Sequence, residues 1–215
     1  MIIVLLGPPG AGKGTQGERL ALRLGLPKIA TGDVLRAAVK AGTTLGLEAK
    51  GFMDRGDLVP DAVILGIMKE ALNAPENAKG AILDGVVRTV PQAEGLQAAL
   101  AEIGKPLGAV LNFDIADGEI VSRISGRTVC DQCQKTFAGR VPGEACGGTD
   151  CPGTGTLVRR KDDEPEAVQR RLDVYRAQTA PVLAWYQQAG APVVTINAVG
   201  SLEDVEARAV AALRV

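Results

Sequence analysis

No histidine occurs anywhere in the 215 residues of the chain. That absence removes Ser-His and Cys-His nucleophilic machinery, together with the side chain that most often moves protons near neutral pH. Whatever chemistry occurs must proceed without imidazole. Neither sign of charge is in excess: 24 basic residues face 25 acidic ones, leaving a formal charge of -1. No overall field therefore draws the chain to DNA, RNA or anionic lipid, and any recognition of phosphate must be local. Long apolar runs are missing too. The N-terminal run Ile2 to Leu6 is far too short to span a membrane, and neither a basic leader nor a small-residue cleavage site accompanies it. A cytoplasmic protein is expected. Cysteine is scarce and confined: all four lie between Cys130 and Cys151, which suggests a local metal site and not a disulfide framework spread over the fold.

What the sequence does contain is an alternation. Short apolar, β-branched runs at 2–6, 81–83, 109–113 and 193–196, with a weaker one at 28–30, have the look of buried parallel strands. Between them lie stretches with helical spacing, such as Leu20 and Leu24, then Val63, Ile67 and Ala71, then Ala93, Leu96 and Leu100 after Pro91. Strands alternating with helices imply an α/β fold with a doubly wound parallel sheet, and right-handed crossovers place the strand C-termini along one ligand-binding edge. Two stretches break the alternation. Residues 31–59 hold two expected helices punctuated by Gly42, Gly46, Gly51 and Gly56, and residues 128–161 are rich in Gly and Cys. Both read as inserted flaps. At this size a single compact body with small insertions is expected.

Gly7-Pro8-Pro9-Gly10-Ala11-Gly12-Lys13-Gly14-Thr15 follows the first strand and opens a helix, the context a nucleotide-binding P-loop requires. Glycines let backbone N–H groups turn inward around phosphate oxygens, and the helix N-terminus adds a favourable dipole. Lys13 supplies a mobile cation. The general pattern has Ser or Thr directly after the lysine, whereas here Gly14 precedes Thr15. The bland alternative is a Gly-rich turn without a ligand.

That departure fits a particular group. Gly-x-Pro-Gly-x-Gly-Lys-Gly-Thr resembles the adenylate kinase family and its nucleoside monophosphate kinase relatives. The resemblance continues through Thr31-Gly32-Asp33-Val34-Leu35-Arg36, Asp84-Gly85-Val86-Val87-Arg88-Thr89, Gln92, Arg123, Gly126-Arg127, Arg160-Lys161-Asp162-Asp163 and Arg171. It implies a P-loop core of five parallel strands (1–30, 60–127 and 162–215), an AMP-binding insertion (31–59) and a lid (128–161). The implied reaction is Mg²⁺-dependent transfer of the γ-phosphoryl group of ATP to AMP, giving two ADP. A monomer is expected, with no nucleic-acid or membrane partner.

Two polyanions must be held with their phosphates in line, which calls for arginines. By resemblance, Arg36 and Arg88 grip the AMP phosphate and Gln92 bonds its adenine, while Thr31, Gly32, Met53, Asp57, Val59 and Gly85 line that pocket. Arg127, Arg160 and Arg171 gather around the transferring group, with Arg160 and Arg171 also reaching AMP. The donor nucleotide takes Gly10, Ala11, Gly12, Lys13, Gly14 and Thr15, with Arg123 stacked on adenine and Phe137 and Gly200 nearby. The bland alternative for Arg123 is a solvated helix residue. Asp84 can hold Mg²⁺ through water, as in other P-loop enzymes, or simply occupy a turn. Asp162 and Asp163 are either the family's lid aspartates or the acidic start of a helix. The missing histidine is consistent with this chemistry, since a phosphate monoester with its second pKa near 6 is already largely ionised at neutral pH and needs no general base.

Cys130-x2-Cys133, twelve residues, then Cys146-x4-Cys151 matches the spacing of a structural zinc site. The family's second pair is usually spaced differently, which brings Asp150 into competition as fourth ligand, but Cys130, Cys133, Cys146 and Cys151 are the expected set, with reduced thiols without metal as the alternative. Two other functions compete. A UMP/CMP kinase shares the P-loop and arginines but has a short lid without cysteines. A zinc-ribbon nucleic-acid-binding NTPase is disfavoured by the single aromatic, Phe137, in the ribbon. Finally, Val86-Val87 stands where the family has an aromatic residue and a proline that commonly follows a cis peptide. A cis bond before valine costs about 2.5–4 kcal/mol, so a trans bond is expected, with looser packing beneath the acceptor pocket.

Overall fold

The five apolar runs become the strands of one sheet. The computed structural model describes residues 1–148, 151 and 155–213. In chain order, β1 (Ile2–Leu6), β2 (Lys28–Ala30), β3 (Ala81–Asp84), β4 (Leu107–Asp114) and β8 (Val193–Asn197) pair in parallel, with spatial order β2-β3-β1-β4-β8. Asp84 is level with both Ala30 and Leu5. The three chain segments leaving these strands thus emerge side by side, at the edge where parallel sheets bind ligands.

The core follows from the two-residue period of β1. Ile2, Val4 and Leu6 face a layer that holds Met68 and Leu72 of α4 (Asp61–Asn73), Leu96 and Leu100 of α5 (Val90–Glu102), and Val182 and Tyr186 of α8 (Ala180–Gln188). Ile3 and Leu5 face the opposite layer, built from Leu20 of α1 (Lys13–Leu24), Ile120 and Ile124 of α6 (Asp117–Ser125), Leu172 of α7 (Pro165–Val174) and Val205 of α9 (Leu202–Leu213). A strand apolar on both faces is what a sheet covered by helices on each side demands. Val86 and Val87 are fully buried in the first layer. Their peptide is trans, as expected, but the packing beneath the loop is closed and not loosened.

The helical spacing of Val63, Ile67 and Ala71 is that of a true helix, α4, although its most buried stripe lies one residue further on. The helical stripe Val63, Ile67, Ala71 is only partly buried, while Ile64, Met68 and Leu72 are fully so. The reason is that α4 is apolar on two sides. Val63 and Ile67 pack toward a separate small cluster with Leu35, Ala49 and Val59, which lies under α2 (Thr31–Ala41) and α3 (Thr44–Arg55). Met68 and Leu72 face the sheet.

Residues 127–158 add an antiparallel sheet of three short strands, β5 (Arg127–Cys130), β6 (Thr136–Ala138) and β7 (Leu157–Val158), in the order β6-β5-β7. Its interior consists of the four cysteines with Phe137 and Leu157. Between α7 and α8 the helical rod widens into a π turn, Tyr175–Thr179, just ahead of Pro181. Proline has no N–H to continue the ladder and its ring clashes with the preceding turn, and a wide turn accommodates both.

Candidate active site

The P-loop bends back on itself because three of its residues adopt positive φ: Gly7 at 135°, Gly10 at 81° and Gly12 at 87°. Side chains rarely tolerate this region, so glycine is required here. Lys13 starts α1 and folds over the loop, its Nζ donating to the carbonyls of Gly7 at 2.7 Å and Pro8 at 2.8 Å. Burial pushes the Lys13 ammonium down to about 8; Asp84 opposes that fall, and the guanidiniums of Arg88, Arg171 and Arg127 add to it.

Two cavities adjoin at this edge of the sheet. The larger is an open cleft, about 1700 Å³ when the solvent-open space at its mouth is counted, that contains the whole P-loop stretch Gly10–Thr15 with Asp84, Arg123, Arg127, Phe137, Arg160 and Gly200 in its walls. The smaller, about 600 Å³ with its solvent-open space counted in the same way, is walled by Thr31, Gly32, Met53, Asp57, Val59 and Gln92. Gly32, Arg36, Gly85, Arg88 and Arg171 line both. Three guanidiniums therefore stand at the junction. Arg160, expected at both nucleotides, borders only the larger cleft.

Charge is concentrated here beyond what the carboxylates balance. Burial lowers Arg88 and Arg171, each depressed further by neighbouring guanidiniums, and takes Arg160 down to about 10. An arginine stays charged under such conditions, and guanidiniums that repel one another in a buried site are relieved by an incoming anion. The Nε atoms of Arg36 and Arg160 are buried without a partner among the described residues. Unmet donors of this kind are rare away from ligand sites.

Asp162 and Asp163 serve this cluster. Asp163 forms a bidentate pair with Arg127, with Nε donating to Oδ2 at 2.8 Å, and also meets Arg171 at 3.3 Å. Asp162 sits 3.2 Å from Arg171; burial alone would raise its pKa, but Arg171, Arg160, Arg127 and Arg36 together hold it down. The helix start belongs to Glu164, which caps α7 without a side-chain hydrogen bond.

Other expected residues have partners of their own. Thr31 Oγ1 donates to the Gly85 carbonyl at 2.8 Å. Arg36 pairs with Asp33, and Asp57 with Arg170 at 2.7 Å and Arg55 at 3.2 Å. Arg123 is tied to the segment after β8, its Nη2 donating to the Ala198 carbonyl at 2.9 Å. The Phe137 ring lies 5.4 Å from the Arg140 guanidinium. Sequence reasoning missed Ser201, Leu202, Gln134 and Thr136 in the larger cleft. The first two follow β8, and the rule that every strand of a parallel sheet ends at the ligand edge would have found them.

The four cysteine sulfurs all lie within 4.8 Å of one another, with Cys130–Cys151 and Cys133–Cys146 each at 3.7 Å. A disulfide needs about 2.05 Å, whereas four sulfurs around zinc at about 2.3 Å are roughly 3.8 Å apart. The cluster thus has the dimensions of a tetrahedral thiolate site. The backbone N–H groups of Gln132 and Cys133 each donate to Cys130 Sγ at 3.4 Å. Burial alone would raise the Cys130 thiol, but these donors, with the Cys133 and Cys146 thiols, bring it down to about 7, whereas burial pushes Cys133 up and Cys146 up to about 12. The cluster without metal therefore favours a single thiolate, and metal binding would release the remaining protons. Gly155 leaves room for the sulfurs, since a Cβ there would overlap Cys130 Sγ and lie 2.9 Å from Cys151 Sγ. Asp150, the competing ligand, lies outside the described residues.

The profile of the protein family described as "Adenylate kinase" matches residues 5–191. An adenylate kinase of Gemmatimonas aurantiaca is 67% identical over 215 residues, covering 100% of both chains. One from Citrifermentans bemidjiense is 45% identical over the full length of both. One from Methanosarcina acetivorans is 48% identical over 95% of this chain and 94% of its own. With a P-loop core, two adjoining cavities and arginines at their junction, the chain belongs to the adenylate kinase family.

Proposed function

We propose that the larger cleft binds ATP, the smaller cavity binds AMP, and the γ-phosphoryl group passes between them to give two ADP. The observation that carries this reading is the junction: Arg36, Arg88 and Arg171 line both cavities. Phosphoryl transfer needs little covalent help from a protein and is catalysed by alignment and by neutralising charge on the equatorial oxygens. Arg36 and Arg88, at the junction, hold the AMP phosphate. Arg127, Arg160 and Arg171 surround the migrating group, and Lys13 leaves the Gly7 and Pro8 carbonyls for the phosphate chain. No base need act on the acceptor, whose phosphate is already ionised.

Members of this family use Mg²⁺ with ATP. Here the hydroxyl of Thr15 and the carboxylate of Asp84 present hard oxygen donors in the larger cleft, the donor type this ion prefers. Bound there, directly or through water, Mg²⁺ would neutralise charge on the phosphates. The four cysteines would hold a structural zinc that substitutes for an apolar core in the lid, 128–161. We further propose that this lid and the insertion 31–59 close over the nucleotides and exclude water. A direct test is a coupled assay for ADP formation from ATP with AMP, CMP, UMP and GMP. AMP is expected to give the highest kcat/KM, and a higher value for UMP or CMP would replace this reading with that of a pyrimidine nucleotide kinase.

A further inference from the structure

Gln92 is buried in the wall of the smaller cavity, yet both ends of its amide are already engaged by the protein. Its Oε1 accepts from the Arg88 backbone N–H at 2.7 Å, and its Nε2 donates to Oδ1 of Asp61 at 2.7 Å. A glutamine amide turned over has almost the same shape, so its neighbours alone decide which end donates. Turned over here, it would set its –NH₂ against the Arg88 N–H and its carbonyl oxygen against the Asp61 carboxylate. Both contacts would be repulsive.

The neighbours are themselves fixed. Thr179 Oγ1, in the π turn, donates to the Arg88 carbonyl at 2.8 Å, and Arg88 Nε donates to the Gly85 carbonyl at 3.0 Å. Thr89 Oγ1 donates to the same Asp61 oxygen at 3.1 Å while accepting from the Gln92 backbone N–H at 3.2 Å. After these bonds the Gln92 amide retains one donor hydrogen and one acceptor lone pair, in a fixed sense. A 6-aminopurine presents the complement, an acceptor ring nitrogen beside a donor amino group. A 6-oxopurine presents the reverse, a donor N–H beside an acceptor oxygen.

We propose that Asp61, which is not among the residues lining the cavity, is the positioning residue that fixes the sense of the Gln92 amide and so selects a 6-aminopurine monophosphate over a 6-oxopurine one. The inference rests on the smaller cavity being the acceptor site. The test is steady-state kinetics of the full-length enzyme at saturating MgATP, with AMP and inosine monophosphate as acceptors. Asp61→Ala removes a hydrogen bond to a charged group, so KM for AMP should rise about tenfold. The change in kcat should stay within about threefold, because the phosphate-binding arginines are untouched. The ratio of kcat/KM for AMP over inosine monophosphate should fall about tenfold. Asp61→Asn keeps an acceptor oxygen toward Gln92 and Thr89 and should recover most of the discrimination. Should the alanine variant not fold, Asp61→Ser, which suits a helix start but is too short to reach Gln92, reports the same ratio. A lowered melting temperature with an unchanged ratio would reduce Asp61 to a structural role and overturn the inference. Gln92→Leu separates the two levels: if it leaves KM for AMP unchanged, the acceptor-site reading itself fails, whereas a raised KM there with an unaltered ratio in Asp61→Ala sinks the inference alone.

Discussion

Lys13 has two demands on its ammonium group, the carbonyls of its own loop and the anions of the cleft, and its pKa records the balance. With burial and three guanidiniums holding it near 8, the free enzyme loses the Lys13 cation as pH rises through that value. Activity that depends on the cation is therefore present below about pH 8 and declines above it. The kcat/KM for ATP, which reports the free enzyme, should drop about tenfold per pH unit on the alkaline side. Bound triphosphate raises the lysine's pKa, so kcat should hold to higher pH; coincident alkaline limbs would show that another group is titrating. Tyr186 poses a different question, because its hydroxyl is buried among apolar side chains with no hydrogen-bond partner among the described residues. Removing an unpaired polar group relieves a desolvation cost, so Tyr186→Phe should leave stability unchanged or raise it by about 1 kcal/mol in denaturant titration. A loss of that size would reveal a partner for the hydroxyl. The buried valines give a third expectation. Restoring the family's pair with Val86→Phe and Val87→Pro would force a ring into a filled layer and should cost about 1–3 kcal/mol of stability.

Among the elements, the core strands were legible and the lid strands were not, for a physical reason. A parallel strand covered on both faces must be apolar throughout, so 2–6 and 81–83 announced themselves in the sequence. The lid strands β5, β6 and β7 are two to four residues long, and their interior consists mostly of cysteine, so no apolar alternation marks them. The cysteine spacing was visible and favoured Cys151, but the distances were not, because they depend on how the loop brings Cys151 to 3.7 Å from Cys130. The P-loop could be read because it is contiguous, whereas the Asp61–Gln92 contact joins residues 31 apart and left no local signal. Metal should matter to this element first. Chelation is expected to lower the melting temperature before it abolishes turnover, and Gly155→Ala, by crowding two sulfurs, should reduce zinc content in elemental analysis well below one per chain. Full zinc occupancy in that variant would contradict the thiolate geometry.

At the scale of the whole molecule, the sheet brings three loops to one edge, and α2, α3, β5 and β6 supply part of the walls of the cavities that meet there. Among the described residues, no helix is long and apolar enough to cross a membrane. Contacts between distant parts already span the site: Asp57, beyond α3, pairs with Arg170 of α7, and Lys40 of α2 donates to the Asp131 carbonyl in the lid at 3.1 Å. These are the contacts a closed form would keep and an open one would release. Solution scattering should show the radius of gyration falling when both cavities are filled, and identical curves would remove the closure. The central claim is that two nucleotides sit with their phosphates converging on Arg36, Arg88 and Arg171, and titration calorimetry with two adenosines joined by five phosphates tests it most directly. One molecule per chain should bind, at least a hundredfold tighter than ATP or AMP alone, because the second nucleotide is delivered at high effective concentration. Affinity no better than that of ATP, or a stoichiometry of two, would contradict it.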